Sequence, residues 1–243
     1  RDRVPHAPIT RYYAEESRRR GFVSGLFDTA AGDYEWINRV MSLGSGQRYR
    51  RDALERAGVG AGHTVLDVCM GSGQTSRAAV DLVGPTGRVV GLDASRRMLE
   101  EARRYVDIPM THGRIEALPF PDGIADFVTM GYALRHADDL RLVFREYRRV
   151  LKPGGSVLLI EFAKPRSKIG YLAARVYLGS VVPALARIRG RETARMMRYF
   201  WETIESCVPP ATILAALEAE GFVDAVNGGP LDLFAEYTAR KPA

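Results

Sequence analysis

Short apolar runs alternate with amphipathic segments between residues 63 and 162, and this alternation constrains the fold more than any other feature of the chain. Apolar runs bounded by turn residues predict buried strands, here at 64–68, 88–92, 126–130 and 156–162, with a weaker strand at 110–113. Because helical segments separate these strands, we predict an α/β fold with a mostly parallel sheet covered by helices on both faces. Such sheets bind ligands beyond the carboxyl ends of their strands.

Two amphipathic helices are expected between these strands. One begins after Ser95, a residue type that often caps helices, and carries apolar residues on one face over 98–106. The other spans 140–151, and Pro153-Gly154-Gly155 is expected to end it.

The flanking segments complete one predicted domain over residues 1–243. Residues 1–62 predict a helical cap on the core, and 163–206 predict a helical insertion that covers the substrate. Residues 207–243 predict a last helix and strands, with a hairpin broken at Gly228-Gly229-Pro230.

Charge and cysteine content narrow the class of protein. The net charge is +6, but only four of the 35 basic residues are lysine and the arginines are scattered. This favours a solvated surface and speaks against nucleic acid as a partner. Cys69 and Cys207 lack metal-ligand spacing, so we expect a reducing, cytoplasmic environment and no metal site.

A glycine-containing loop follows the first predicted strand, in the pattern Asp67-x-x-x-Gly71-x-Gly73. Glycine is needed where a backbone turns sharply and approaches a ligand closely. Asp93 directly follows the second strand, where a carboxylate can accept both hydroxyls of a ribose. The loop lacks the third glycine of a dinucleotide site and a Walker lysine. These features predict an adenosine-bearing cofactor, and the short loop favours S-adenosylmethionine.

Three further motifs carry a resemblance to a known family. They are Phe27-Asp28-x-x-Ala31-x-x-Tyr34-Glu35-x-x-Asn38-x-x-Met41-Ser42, then Arg149-Val150-Leu151-Lys152-Pro153-Gly154-Gly155 continuing to Glu161, and Arg198-Tyr199 with Glu202 and Ile204. With the cofactor loop, they resemble the class I methyltransferases that C-methylate demethylmenaquinone and the ubiquinone precursor, over nearly the whole chain from Val23. The resemblance implies a seven-stranded Rossmann-like fold, S-adenosylmethionine as methyl donor and an aromatic or quinol-type hydrophobic substrate.

The same resemblance implies further cofactor contacts. It adds Ala94, Met98, Ile115 and Tyr132 to the cofactor site. Arg114 stands where an acidic or amide residue usually meets the adenine amino group, and a guanidinium has no acceptor for that contact. Backbone groups near Ile115 and apolar packing from Ala94 are expected to serve instead.

Catalytic candidates lie in two places. By resemblance, Arg198 with its neighbours Met197 and Tyr199 is expected to orient a water or to stabilise a substrate phenolate. Arg135 and His136 follow the third strand, where hydrogen-bonding groups could surround the reacting oxygen. The alternatives are a surface ion pair for Arg135 and a loop contact with Asp138 or Asp139 for His136.

The substrate side also contains Tyr34 and Asn38, which are expected to close the pocket from the cap. Departures from the family pattern fall on this side. Gly46 and Tyr49 replace a histidine and a tryptophan, and His136 replaces an asparagine; Met196, Met197 and Ala163 replace serine, tyrosine and serine. A methyltransferase of specialised metabolism, acting on carbon, oxygen or nitrogen, therefore remains the main alternative, ahead of an RNA methyltransferase and a non-catalytic cofactor carrier.

An apolar run at 169–188 is interrupted by Arg175 and Pro183, which speaks against a membrane span. A cover over an apolar substrate, contact with a bilayer surface, and core or homodimer packing remain open for this segment.

Overall fold

The structure is a computed structural model that describes residues 4–7, 9–13, 15–230 and 233–243. These residues contain a seven-stranded sheet in the order β3-β2-β1-β4-β5-β7-β6. The strands are β1 Thr64–Val68, β2 Arg88–Asp93, β3 Met110–His112, β4 Ala125–Gly131, β5 Leu151–Phe162, β6 Val223–Gly228 and β7 Phe234–Arg240. The first five strands pair in parallel, and β7 is antiparallel to both β5 and β6. The predicted α/β class and the terminal hairpin are confirmed.

Ten α-helices surround this sheet in the described residues. They are α1 Glu16–Ala30, α2 Tyr34–Met41, α3 Gly46–Arg56, α4 Gln74–Val83, α5 Arg96–Ala102, α6 Leu140–Val150, α7 Lys168–Val176, α8 Val182–Ala186, α9 Arg191–Ser206 and α10 Pro210–Ala219. Short 3-10 turns at Ala31–Asp33 and Leu134–His136 and a π-helical turn at Tyr177–Val181 connect some of them.

Ser95 caps α5 as predicted, since its hydroxyl accepts a hydrogen bond from the Met98 amide at 3.1 Å. The helix is shorter than predicted and ends at Ala102. Residues 103–105 form a turn that lets Val106 pack beside Met70 and Leu99 over the glycine loop. Packing across the sheet edge therefore ends a helix that the apolar periodicity alone would have extended.

The predicted stop signal after α6 has another role. The helix ends at Val150, and β5 begins at Leu151, so Pro153-Gly154-Gly155 lies inside the strand. Ala125 pairs with Leu151 but Phe127 pairs with Ser156, so the extra residues form an irregularity in the β4–β5 ladder. Gly154 has φ of +79° there, a backbone conformation that glycine adopts without strain.

Each face of the sheet has its own apolar core, as predicted. Leu66, Phe144 and Leu217 belong to the core under α6 and α10, while Leu54 and Leu158 belong to the core under α3 and α4. A further apolar cluster joins the cap and the insertion, where α1 and α2 meet α7 to α9 above Phe162. We call it the cover cluster. The two flanking segments thus form one cover over the carboxyl ends of the strands.

The stretch Lys168–Ala186 is one continuous helix of 19 residues with a mean hydropathy of 1.4, long and apolar enough by length and composition to cross a membrane. Sequence reasoning excluded such a span because of Arg175 and Pro183, yet the helix continues through Pro183, which directly follows the π-helical turn at Tyr177–Val181. Leu178 and Val182 are buried against the cover cluster, so one face of this helix packs on the protein itself.

Candidate active site

A cavity opens at the carboxyl ends of β1, β2 and β4, beneath α1. Seven of the nine predicted cofactor residues line it, namely Gly71, Asp93, Ala94, Met98, Arg114, Ile115 and Tyr132. Val23, Ser24 and Phe27 of α1 form its roof, and we call this space the first cavity. A crevice at this edge of a parallel sheet is the expected place for a ligand.

The glycine loop shapes one wall of the first cavity. Gly71 has φ of +55°, and a Cβ atom there would lie 3.3 Å from the Tyr34 ring, so the bare backbone keeps the wall open. Gly73 has φ of +81°, and its Cβ would lie 2.9 Å from Val106, outside the cavity lining. Gly71 therefore faces the ligand space, whereas Gly73 lets α5 pack closely on the loop.

Asp93 is held in place by the backbone. One carboxylate oxygen accepts a hydrogen bond from the Gly71 amide at 2.8 Å, and the other accepts from the Ser95 amide at 2.8 Å. Burial raises the pKa of Asp93, and these backbone donors oppose that shift. Each oxygen keeps a further lone pair, so the carboxylate can still accept two hydroxyl groups from the cavity.

Asp67 does not reach the first cavity. Its oxygens accept hydrogen bonds from the hydroxyls of Ser76 at 2.5 Å and Thr129 at 3.1 Å, which ties the loop to α4 and β4. Burial raises its pKa to about 6, although both hydroxyl donors oppose the shift. The structure therefore places Asp67 beneath the loop, as a brace for it.

Arg114 lies at the rim of the first cavity and its side chain is 44% exposed. Its guanidinium pairs with Glu116 at 3.1 Å and with Asp138 at 3.2 Å. Ile115 and Met98 are buried beside it and supply an apolar wall. An aromatic base can pack against such a wall, with Arg114 held at the edge by its ion pairs.

S-adenosylmethionine fits the residues of the first cavity. Asp93 offers acceptors for two hydroxyls, Gly71 leaves room for close approach, and Met98 with Ile115 offers an apolar surface. No group of three or more His, Cys, Asp or Glu residues that could hold a metal ion occurs among the described residues.

A second cavity adjoins the first. Its lining residues are Tyr34, Asn38, Met41, Ser42, Ser45, Gly46, Arg48, Tyr49, Arg50, Asp52, Tyr132, Arg135, Phe162, Phe200 and Phe234. Tyr34 and Tyr132 line both cavities, so these two rings stand between the two spaces. Burial raises the pKa of each phenol to about 12, so both stay protonated at neutral pH.

Arg135 is buried in an ion pair, not at the surface as the sequence-based alternative had it. It is 1% exposed and donates to Glu161 at 2.8 Å, to the Thr203 hydroxyl at 3.1 Å and to the Tyr132 carbonyl at 2.6 Å. Glu161 in turn accepts from the Leu134 amide at 2.6 Å. This network fixes the 3-10 turn that carries Tyr132, Arg135 and His136 into the site.

His136 lines the first cavity between two aromatic rings. Its ring stacks with Tyr199 at a centroid distance of 5.8 Å and meets Phe27 edge-on at 5.3 Å. Burial, followed by the charge of Arg135, lowers the pKa of His136 well below its usual value, so the imidazole is neutral. Neither ring nitrogen has a hydrogen-bond partner among the described residues. The predicted contact with Asp138 or Asp139 is therefore not formed.

Three residues predicted to act on the substrate side lie on α9 but do not line the second cavity. They are Met197, Arg198 and Tyr199. Arg198 is exposed, and neither cavity is lined by it. Met197 is buried in the cover cluster, and Tyr199 supports His136 from behind. Helix periodicity explains this, because Phe200 takes the position that faces the second cavity and residue 198 then points away from it.

Tyr34 and Asn38 of the cap both line the second cavity. Sequence reasoning missed Arg50, which lies deep in the same cavity with 6% exposure. Its surroundings in the sequence, Arg48-Tyr49-Arg50-Arg51, are typical of an exposed charged helix. The sequence holds no signal that separates Arg50 from its exposed neighbours.

Comparisons with known proteins identify the family of the chain. The ubiE/COQ5 methyltransferase family model matches residues 13–227. The "Ubiquinone/menaquinone biosynthesis C-methyltransferase UbiE" of Hahella chejuensis is 32% identical, over 84% of this chain and 85% of that protein. The "Demethylmenaquinone methyltransferase" of Lactococcus lactis is 33% identical, over 83% of this chain and 82% of that protein.

Solved structures share the fold at lower identity. A SAM-dependent methyltransferase from Aquifex aeolicus superposes with a TM-score of 0.61 at 19% identity, covering 84% of this chain and 97% of that one. Phosphoethanolamine N-methyltransferase 2 of Haemonchus contortus, in complex with S-adenosyl-L-methionine, gives 0.64 at 18% identity, covering 89% and 57%. Since the family model spans most of the chain and its relatives align over four fifths of it, the protein belongs to the ubiE/COQ5 family and is an S-adenosylmethionine-dependent methyltransferase.

Proposed function

We propose that the enzyme methylates a ring carbon of a hydrophobic hydroquinone, of the kind that the names of its relatives indicate. The observation that carries this proposal is the second cavity, which abuts the first across Tyr34 and Tyr132. Phe162, Phe200 and Phe234 line it, and such walls suit an apolar aromatic ring. A small molecule in this space would lie beside the cofactor pocket.

Bound S-adenosylmethionine supplies an electrophilic methyl group. In the overall reaction the ring carbon gains that methyl and loses a proton, and the donor's carbon–sulfur bond breaks. A ring carbon becomes nucleophilic when an adjacent phenol gives up its proton. The residues of the chain must therefore orient the ring, exclude water and take up or release that proton.

His136 is our proposed partner for a second substrate hydroxyl, one that points out of the second cavity towards the first. The imidazole is neutral, lines the first cavity and leaves both nitrogens without a partner among the described residues. A neutral imidazole offers one donor and one acceptor, so it can accept a hydrogen bond or a proton from a phenol. Its stacking between Phe27 and Tyr199 restricts its orientation.

Arg135 acts in this proposal as a positioning residue. Its donors are engaged with Glu161, Thr203 and the Tyr132 carbonyl. It therefore holds the turn between the two cavities in place. Its positive charge also opposes the rise in the pKa of Glu161 that burial causes. Arg198 has no part in the proposal, because its side chain lines neither cavity.

The test incubates purified enzyme with labelled S-adenosylmethionine and a reduced, short-chain demethylmenaquinone. We expect a product with one added methyl group on a ring carbon, identified by mass and NMR. Methyl on oxygen or nitrogen of another aromatic compound, with none on the quinol, would favour an enzyme of specialised metabolism. The matched variants His136→Asn and His136→Phe should differ, because only asparagine keeps hydrogen-bonding groups at that position.

We further propose that the protein contacts a bilayer surface through the exposed face of α7 and α8 and the turn that follows α8. Ile169 is 85% exposed, Leu172 59% and Ile188 79%, while exposed Lys168 and Arg187 lie beside them. Apolar side chains flanked by basic ones favour binding to anionic lipid in the plane of the interface.

Cosedimentation with phosphatidylglycerol vesicles tests this contact. Leu172→Glu should lower the bound fraction, whereas Leu142→Glu, an exposed leucine on α6, should not. If vesicles are not bound and gel filtration shows a dimer that Leu172→Glu dissociates, the face is a homodimer contact instead.

A further inference from the structure

The deep end of the second cavity holds a guanidinium without a carboxylate partner. Arg50 is 6% exposed, and among the described residues no carboxylate lies within ion-pair distance of it. Its one hydrogen bond there goes from Nη1 to the Gly46 carbonyl at 3.0 Å, and the guanidinium lies over the Tyr132 ring at 4.8 Å. Buried charges are usually paired, because an unpaired one loses its hydration without compensation.

The acidic groups around Arg50 have other partners, and Glu161 and Glu236 pair with Arg135 and Arg56. Asp67 feels the charge of Arg50, but its oxygens accept from Ser76 and Thr129, and burial raises its pKa to about 6. Asp52 lines the cavity at its outer side, where its side chain is 45% exposed and lies 3.9 Å from Arg48. The inner end of the cavity is therefore positively charged.

Asn38 provides a second, independent observation in the same cavity. Its side-chain nitrogen is out of contact with solvent and has no hydrogen-bond partner among the described residues. A buried amide donor without an acceptor is destabilising, so such donors usually face a ligand or an ordered water. Asn38 and Arg50 together offer donors for one oxygen-rich group.

Gly46 leaves room for this arrangement. A Cβ atom at position 46 would lie 2.9 Å from Arg50 Nη1 and 2.9 Å from the Ser42 hydroxyl. Any side chain at position 46 would therefore require Arg50 and Ser42 to shift from their present positions. The departure at Gly46 opens the space that Arg50 occupies.

We infer that the second cavity binds an aromatic ring through an ionised ring oxygen, a phenolate, with Arg50 and Asn38 as its hydrogen-bond donors. The inference rests on the proposed function, since the ring held here is the proposed methyl acceptor. Tyr49, Phe162 and Phe234 supply the surfaces for the ring. Stabilising the phenolate places negative charge on the ring carbons beside the oxygen, which are the carbons that accept a methyl group.

The test uses 4-nitrophenol, whose absorbance reports its ionisation, and 4-nitroanisole as the uncharged match. The intact enzyme should bind the phenolate in preference to the anisole and lower the apparent pKa of the bound phenol. Arg50→Met should weaken phenolate binding by about tenfold or more and abolish that pKa shift. Arg50→Lys should keep part of the phenolate affinity and part of the pKa shift. Asn38→Leu should weaken phenolate binding less than Arg50→Met does.

Arg51→Met is the matched control, because Arg51 lies on the same helix, pairs with Glu55 at 3.1 Å and does not line the cavity. It should leave phenolate binding unchanged, and thermal unfolding should confirm that each variant is folded. Equal binding of phenolate and anisole, or phenolate binding that ignores Arg50, would overturn the inference. Arg50-dependent phenolate binding without quinol methylation would instead overturn the proposed function alone.

Discussion

The two cavities differ in how their polar groups are satisfied. In the first cavity, Asp93 accepts hydrogen bonds from Gly71 and Ser95, so the protein itself holds the carboxylate in place. In the second cavity, Arg50 has no carboxylate partner and the Asn38 amide has no acceptor among the described residues. The first site is held by its own backbone, whereas the second leaves donors for a ligand to satisfy.

Removing Arg135 should have the largest effect on stability. It tests whether the Arg135–Glu161 ion pair supports the second cavity. Arg135→Met leaves Glu161 buried without its cation and should lower the free energy of unfolding by about 3–5 kcal/mol. Chemical denaturation measures this. Arg135→Met with Glu161→Gln should recover much of the loss, and a single variant as stable as the parent would show that the pair does not hold the cavity.

The pH dependence of stability tests the role of Asp67, the buried carboxyl group beneath the glycine loop. Because burial raises its pKa from 3.8 to about 6, the folded state holds the proton more tightly than the unfolded state. The stabilisation from the bound proton is fully present below pH 3.8 and is lost as the pH rises through about 6, a change of about 3 kcal/mol. Unfolding measured between pH 4 and 7 should show a larger loss of stability in the parent than in Asp67→Asn, in which Asp93 and Glu161, whose pKa values burial also raises, still titrate.

Asp93→Asn sharpens the comparison between the two cavities. Losing the charge and one acceptor should weaken binding of S-adenosylhomocysteine by about 10- to 100-fold in calorimetry. Phenolate binding in the second cavity should change little, because Asp93 does not line it. Asp107→Asn, at an exposed acid outside both cavities, is the control. Equal losses for both ligands would mean that the two cavities are not separate sites.

Arg198→Ala should have the smallest effect. Its side chain is exposed and lines neither cavity, so we expect turnover and both ligand affinities to change by less than about twofold. Steady-state kinetics at saturating S-adenosylmethionine is the measurement. A collapse in turnover would restore the role that family resemblance assigns to Arg198.

Much of the first cavity could be predicted from sequence because its parts are local. The loop from Asp67 to Gly73 and the acid after β2 are contiguous with strands whose apolar runs are easy to recognise. Parallel strands bring their carboxyl ends to the same edge, so Gly71 and Asp93 had to lie near each other. The misplacement of Asp67 has a local cause as well, since alternate side chains of a strand face opposite sides.

The second cavity could not be predicted in the same way. It joins residues of α2 and α3 to the ends of β4 and β5, to α9 and to β7, segments up to 200 residues apart such as Tyr34 and Phe234. Arg50 and Arg51 are identical in type and adjacent in sequence, yet one is buried and the other exposed. Only the packing of α3 distinguishes them.

The amino-acid sequence by itself determined the α/β class, the succession of the core strands along the chain, and the glycine loop and Asp93 that meet at one cavity. The strands follow from apolar periodicity. The loop follows from backbone conformations that glycine adopts without strain, in residues that are close together along the chain. The tertiary structure alone decided which charged groups are buried together. Whether an arginine is solvated, paired with Glu161 or left facing a cavity depends on helices that meet across the fold, and burial then sets its chemistry.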